Sequence, residues 1–380
     1  GALDVATTDL AELGGAAGTA LEGRLEGRVT LTAEDGAQAA AADLSGADLA
    51  ALGARVEALT LDARLSDLLR APRGEGTLAL SGVAAEEIRL AALRVEGVAE
   101  ERDGRAVAEG TLSAEGLDAF GARLAALSGE ARAEDLAGDP SASVSLDASD
   151  LAYEPAEARI ARLSVEGAAS ALATAPRAEG VIVLQNAAAA GATATRIEIE
   201  GTGTELAAAP VIDATATAET LAYPPLDAEI ALASVAGRAR DLFGAPEAEG
   251  RLVLDAVRVA GAEAARVALD GRGRDLADSP SVEGVLTVDA LAYPAADARI
   301  ARLTLDASAD DLAGALSAAG TLAAQEIAAA GATAAGLDAA FSGTGLATDR
   351  PEGALDARIR GLGGAGDATL TAALSGEDAG

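Results

Sequence analysis

This chain of 380 residues carries a formal charge of −33, from 61 Asp and Glu against 28 basic residues that are all Arg, and it has no His, Cys, Met or Trp. That balance excludes nucleic acid and anionic headgroups as docking partners, because their phosphates would be repelled. Half of the residues are apolar but only 2% are aromatic, which points to a shallow layer of Ala, Leu and Val rather than a deep core. The same apolar half, regularly spaced, excludes disorder.

In chain order, residues 1–17 read as an incomplete edge, and a repeat array fills 18–367. Its units fall near 18–87, 88–157, 158–227, 228–297 and 298–367, and residues 368–380 read as a second incomplete edge. Within the first unit, Ala37 to Val56 is the ambiguous stretch, since Ala is the best helix former. Recurrent Gly and runs such as Leu59-Thr60-Leu61 argue for strands instead. From the second unit onward the period is plain. Gly110 returns as Gly180, Gly250 and Gly320, and Leu151-Ala152-Tyr153 returns as Leu221-Ala222-Tyr223 and Leu291-Ala292-Tyr293. A fixed period of this kind, here about 70 residues, means stacked copies of one unit.

Inside each unit the residues alternate. Leu93-Arg94-Val95-Glu96 matches Leu163-Ser164-Val165-Glu166 and Leu303-Thr304-Leu305-Asp306. Period two predicts strands with one wet face. Aliphatic columns recur at the same spacing: Leu112, Ile182, Leu252 and Leu322 form one, and Leu127, Ile197, Val267 and Leu337 another. Each unit splits into two near-equal halves, marked by loop leucines at 136, 172, 206, 242, 276, 312 and 346. Loop text such as Arg240-Asp241-Leu242-Phe243-Gly244-Ala245-Pro246 stops strands, and tight breaks are expected at Ala260-Gly261 and Tyr293-Pro294. Each half is thus a hairpin-like pair of strands. In Leu252-Val253-Leu254-Asp255-Ala256-Val257-Arg258-Val259 the phase of the alternation slips, and a bulge or bend there would keep the apolar side chains on one concave side.

These readings predict an all-β fold: an elongated repeat of antiparallel strands, curled into a trough. A parallel β-helix is the alternative, although a half-unit of about 35 residues fits hairpins better. A single sheet with one aliphatic face must curl, pair with a second layer, or hold something apolar.

The chemical inventory is sparse. Without His or Cys there is no conventional triad, no thiolate nucleophile and no His-ligated metal site, so no enzyme and no cofactor are expected. Asp310-Asp311 reads as solvated loop charge. Gly201-Thr202-Gly203, Gly271-Arg272-Gly273 and Gly343-Thr344-Gly345 lack the third Gly and the helix of a dinucleotide site and read as turns or strand ends. Gly363-Gly364-Ala365-Gly366-Asp367 has the texture of a calcium-binding β-roll but occurs once and out of register. The Leu-Ala-Tyr-Pro element reads as a structural strand end. No stretch of about 20 strongly apolar residues is present. A start at Gly1 without Met suggests a fragment of a longer protein.

Amphipathic strands such as Ala298-Arg299-Ile300-Ala301-Arg302-Leu303-Thr304-Leu305-Asp306, with Leu-Ser-Val-Glu-Gly text, resemble the repetitive middle of TamB and AsmA-like proteins over most of the chain, from about Gly18 to Gly366. The resemblance implies a periplasmic β-trough that conducts phospholipid acyl chains between bacterial membranes. It also implies an inner-membrane anchor and an outer-membrane barrel partner engaged through regions outside this sequence. The lining expected on this reading is Leu112, Ile182, Leu252, Leu322, Leu163, Val165, Leu303, Leu305, Ile197, Val267, Leu269, Leu286 and Val288, which would solvate acyl chains without bonding to them. The competing expectation is a structural stalk or adhesin whose columns fill their own core.

Overall fold

A computed structural model describes residues 1–7, 10, 21–34, 37–51, 53–67, 72–136, 138–277, 279–347, 351–363 and 366–375, in two compact units, Gly1–Ala190 and Gly191–Gly380. Much of the expected N-terminal edge, Gly18, Gly364-Ala365 and residues 376–380 lie outside the described residues.

The first unit holds β1 (Ala2–Thr7), β2 (Leu21–Glu34), β3 (Ala37–Ala51), β4 (Ala54–Ser66), β5 (Arg73–Ala85), β6 (Ile88–Arg102), β7 (Arg105–Ala119), β8 (Ala122–Glu134), β9 (Ser141–Tyr153), β10 (Ala158–Ser170) and β11 (Arg177–Ala189). The second holds β12 (Ala192–Thr204), β13 (Val211–Tyr223), β14 (Ala228–Arg240), β15 (Glu247–Val259), β16 (Ala262–Arg274), β17 (Ser281–Tyr293), β18 (Ala298–Asp310), β19 (Ser317–Ala329), β20 (Ala332–Thr344), β21 (Glu352–Arg360) and β22 (Ala368–Ser375). Within each unit every strand pairs antiparallel with the next, and among the described residues no strand closes the sheet back on its first. Each unit is an open, curled, antiparallel sheet, which rules out the parallel β-helix. The ambiguous Ala-rich stretch forms β3 and the start of β4. There Leu44 sits opposite Leu61 and Ala42 opposite Ala63, so pairing outweighs the helix propensity of Ala.

The sequence period has a geometric origin. Along one row of the second sheet, Leu252, Leu269, Leu286, Leu305 and Leu322 are successive cross-strand partners, and the step from Leu286 to Leu305 is longer than the other three, which are equal. The longer step spans β17 and β18, which are joined by the 3-10 turn Pro294–Ala296 and a left-handed Asp297. The pair β15 and β16 is joined by Ala260-Gly261 alone, with φ of 50° and 80°. Positive φ at both turn residues matches the twist of a two-residue hairpin, and Gly serves the second position without a steric cost. Four strands, with one 3-10 turn among their connections, therefore make one repeat.

Two lines of special backbone run across the strands. The first is a line of left-handed residues, one inside each odd-numbered strand from β3 to β19: Asp48, Gly82, Gly116, Asp150, Asn186, Thr220, Ala256, Ala290 and Glu326, with φ between 51° and 63°. The ladder skips this position, passing from Asp289–Arg302 directly to Leu291–Ile300. On the partner strands two successive residues face solvent there, as at Ala161-Arg162, Ala265-Arg266 and Ala301-Arg302. Alternation then resumes, so the phase slip read at Ala256 is a bend that returns Val257 to the apolar side. The second line is a row of glycines. A Cβ on Gly110, Gly180, Gly250 or Gly284 would stand 2.8 to 2.9 Å from a carbonyl oxygen of the neighbouring strand. The strands approach there too closely for a side chain.

Both lines give stability tests. Thr220 is β-branched in a left-handed conformation, which costs roughly 1–2 kcal/mol. Thr220→Asn, the residue type at the equivalent Asn186, should raise stability by about 0.5–1 kcal/mol in denaturant unfolding. Gly250→Ala should lower it by about 1–3 kcal/mol.

Candidate functional site

One face of each sheet is uncharged from strand to strand. In the first unit a row of direct cross-strand neighbours runs Leu44, Leu61, Leu78, Val95, Leu112, Gly129, Leu146, Val165, Ile182. A second row beside it runs Leu59, Leu80, Leu93, Ala114, Leu127, Ala148, Leu163, Leu184. In the second unit the first row is Ile199, Ala216, Val235, Leu252, Leu269, Leu286, Leu305, Leu322, Ala339, Ala357, Leu370. Its second row is Ile197, Ala218, Ala233, Leu254, Val267, Val288, Leu303, Ala324, Leu337, Ile359. The structure therefore places Leu112, Val165 and Ile182 in the first row of the first unit and Leu163 in its second. It places Leu252, Leu269, Leu286, Leu305 and Leu322 in the first row of the second unit, and Ile197, Val267, Val288 and Leu303 in its second.

On the loop side of the first row lies a shelf of small residues that includes Gly237, Gly250, Gly271, Gly284, Ala307 and Gly320. At its outer border the loop leucines fold back over the sheet. A Cβ on Gly203, Gly273 or Gly343 would meet Leu206, Leu276 or Leu346 at 2.7 to 2.8 Å. On the opposite side, beyond the left-handed line, a third aliphatic row includes Ile230, Val257, Leu291, Ile300 and Ile327. Sequence columns missed this row. Its signal was the odd-numbered step from Leu254 to Val257 and from Val288 to Leu291, which breaks period two because of the intervening bend.

These side chains do not fill a core. Among the described residues the buried apolar ones are eight alanines, Val107 and Val253. In the rows themselves Ile182 is 37% exposed, Leu269 40% and Val235 47%. The chain exposes 22602 Å², against about 13,600 Å² for a compact monomer of its mass. Within each unit all described strands belong to the one sheet, and the other described elements are three-residue 3-10 turns, so the unit holds no further element to form a second layer.

The outer face carries the charge. Cross-strand pairs such as Asp289–Arg302 at 2.8 Å, Glu229–Arg258 at 2.9 Å and Glu249–Arg272 at 3.6 Å stitch neighbouring strands. Both partners are solvated, so each pair contributes little stability. A hydrogen bond from Arg102, opposed by desolvation and aided by the charges of Arg102 and Arg73, holds the Glu100 carboxyl below its ordinary range.

The other sequence candidates have structural roles. Asp311 is a left-handed loop residue whose Oδ2 accepts the Ala315 N–H at 2.7 Å. Asp241 accepts the Ala245 N–H in the same way at 3.1 Å. The three Gly-x-Gly elements are strand ends. Asp367 accepts from Arg358 at 2.6 Å and from the Gly361 N–H at 3.1 Å, and those two bonds occupy both its oxygens. The tyrosines cap strand ends; the Tyr293 ring lies 3.9 Å from where a Cβ on Gly261 would be. Among the described residues no cluster of acidic side chains could hold a metal ion, and no helix is long and apolar enough to cross a membrane. Searches of protein-family models, curated proteins and solved structures find no match to this chain.

An open aliphatic face should take up a neutral apolar dye in the native state. Nile red should brighten and shift to the blue on the folded protein, and Leu269→Asp with Leu286→Asp should remove at least half of that signal. An unchanged signal would place the dye elsewhere.

Proposed function

We propose that this chain is a non-catalytic apolar groove that carries phospholipid acyl chains between membranes of a bacterial envelope. The observation that supports this most is the pair of uncharged, partly exposed aliphatic rows that runs across each unit, with no further described element of that unit to cover it. Apolar surface of this extent marks a ligand or partner. A guest covering about 400 Å² of it would gain on the order of 10 kcal/mol from removing apolar area from water. The rows offer no polar anchor, so they suit an unbranched hydrocarbon chain that slides. The acidic outer face keeps the body soluble and away from anionic headgroups. On this reading the resemblance to TamB and AsmA-like proteins extends to a periplasmic location, an inner-membrane anchor and an outer-membrane barrel partner.

A structural stalk or adhesin is the competing class. It needs columns that meet across a filled interior, and the half-exposed rows weigh against that packing.

Native mass spectrometry followed by solvent extraction tests the proposal. Phospholipid should copurify with the chain, and Leu252→Asp, a charge in the middle of the first row, should reduce bound lipid at least tenfold with the strand signal in circular dichroism retained. A lipid-free, stable wild-type protein would move the assignment to the stalk.

A further inference from the structure

The low line of the apolar face changes place within the second unit. From β15 to β19 the shelf is bare, with Gly250, Gly271, Gly284, Ala307 and Gly320 as successive partners, and beside it the first row is leucine on every strand. On β20 and β21 the sizes are exchanged. Phe341 and Leu355 take the shelf positions, and Ala339 and Ala357 take the first row. The Phe341 ring leans back across the last open position: a Cβ on Gly320 would stand 2.7 Å from its Cζ. The repeat does not call for this residue, since the same position is Gly271 one period earlier and Gly201 two periods earlier. The other two phenylalanines, Phe120 and Phe243, lie on turns and are 68% and 74% exposed.

We infer that Phe341 is a diverter. It moves an apolar guest off the glycine shelf and onto the line of Ala339 and Ala357, one row over, a step of about 7 Å. The exchange keeps a trench of similar depth. On β15–β18 its walls are the first-row leucines and, at Gly273, the folded-back Leu276; on β20–β21 they are Phe341 with Leu355 and Leu337 with Ile359. The inference rests on the groove reading and specifies its path.

A phospholipid with a diazirine at the end of one acyl chain, loaded onto the full chain and photolysed, reads that path. Trypsin cuts after Arg360, so β22 reports as its own peptide. Wild-type protein should be labelled both on β15–β18 and on the β22 peptide. Ala357→Leu, or Ala339→Leu as a second variant, should cut β22 labelling at least fivefold without changing the β15–β18 label. Adding Phe341→Gly together with Leu355→Gly, which opens the shelf on both strands, should recover it. Circular dichroism and the unfolding midpoint of each single variant control for misfolding. Unchanged β22 labelling in both single variants, or no recovery when the shelf is opened at both Phe341 and Leu355, overturns the diverter. Wild-type labelling that reaches β18 but not β22 also overturns it and leaves the groove standing. No labelling on any strand removes the groove itself.

Discussion

A slip of one residue in any antiparallel pair would carry charge onto the apolar face. Leu252 would then face Asp270 instead of Leu269, and Arg251 would leave its 3.6 Å pairing with Asp270. Register is therefore the constraint on which the rest depends. Three local devices hold it. The turns fix the offset between neighbours, through two-residue turns with positive φ or 3-10 turns with a left-handed closing residue. Glycines stand where a neighbouring carbonyl comes close, as Gly250 does beside the carbonyl of Ala236 at 2.9 Å from where a Cβ would be, so a shift that brought a larger residue there would clash. The left-handed residues align on alternate strands, so every strand bends at the same height.

The same constraint explains the cost the fold carries. A one-layer sheet has no opposite sheet to bury its leucines, and stability must come from neighbouring strands alone. Alanines set among leucines in the second row, such as Ala233 and Ala324, are among the few side chains that become buried, because the larger neighbours shelter them. The leucines themselves stay partly in water, Leu269 at 40% exposure. Exposed ion pairs on the outer face add little, and their main effect is to keep the two faces chemically distinct. That wet aliphatic area is the physical basis of the groove proposal.

Much of the fold was legible because repetition averages out local ambiguity. The columns through Leu112, Ile182, Leu252 and Leu322 gave the strand face, and the bend at Ala256 was readable as a phase slip. The third row through Val257 and Leu291 was not, because a period-two rule fails across a left-handed residue that can be Ala, Asp, Asn, Thr, Glu or Gly. Phe341 was not legible for the opposite reason: repetition points to what recurs, and this residue departs from the Gly201 and Gly271 of the pattern.

Sequence alone determined the period, the alternation, the hairpin turns and the segregation of charge from hydrocarbon, since these depend only on near neighbours in the chain. It also excluded His- and Cys-based chemistry by composition. Only the tertiary structure decided which columns are adjacent. Residues one period apart lie four strands apart, and the true neighbours of Leu252 are Val235 and Leu269, which belong to other columns of the repeat. Pairing direction, open edges and the absence of a covering layer among the described residues are equally non-local. They depend on hydrogen bonds between strands and on how much space each bend leaves, quantities that no single segment encodes.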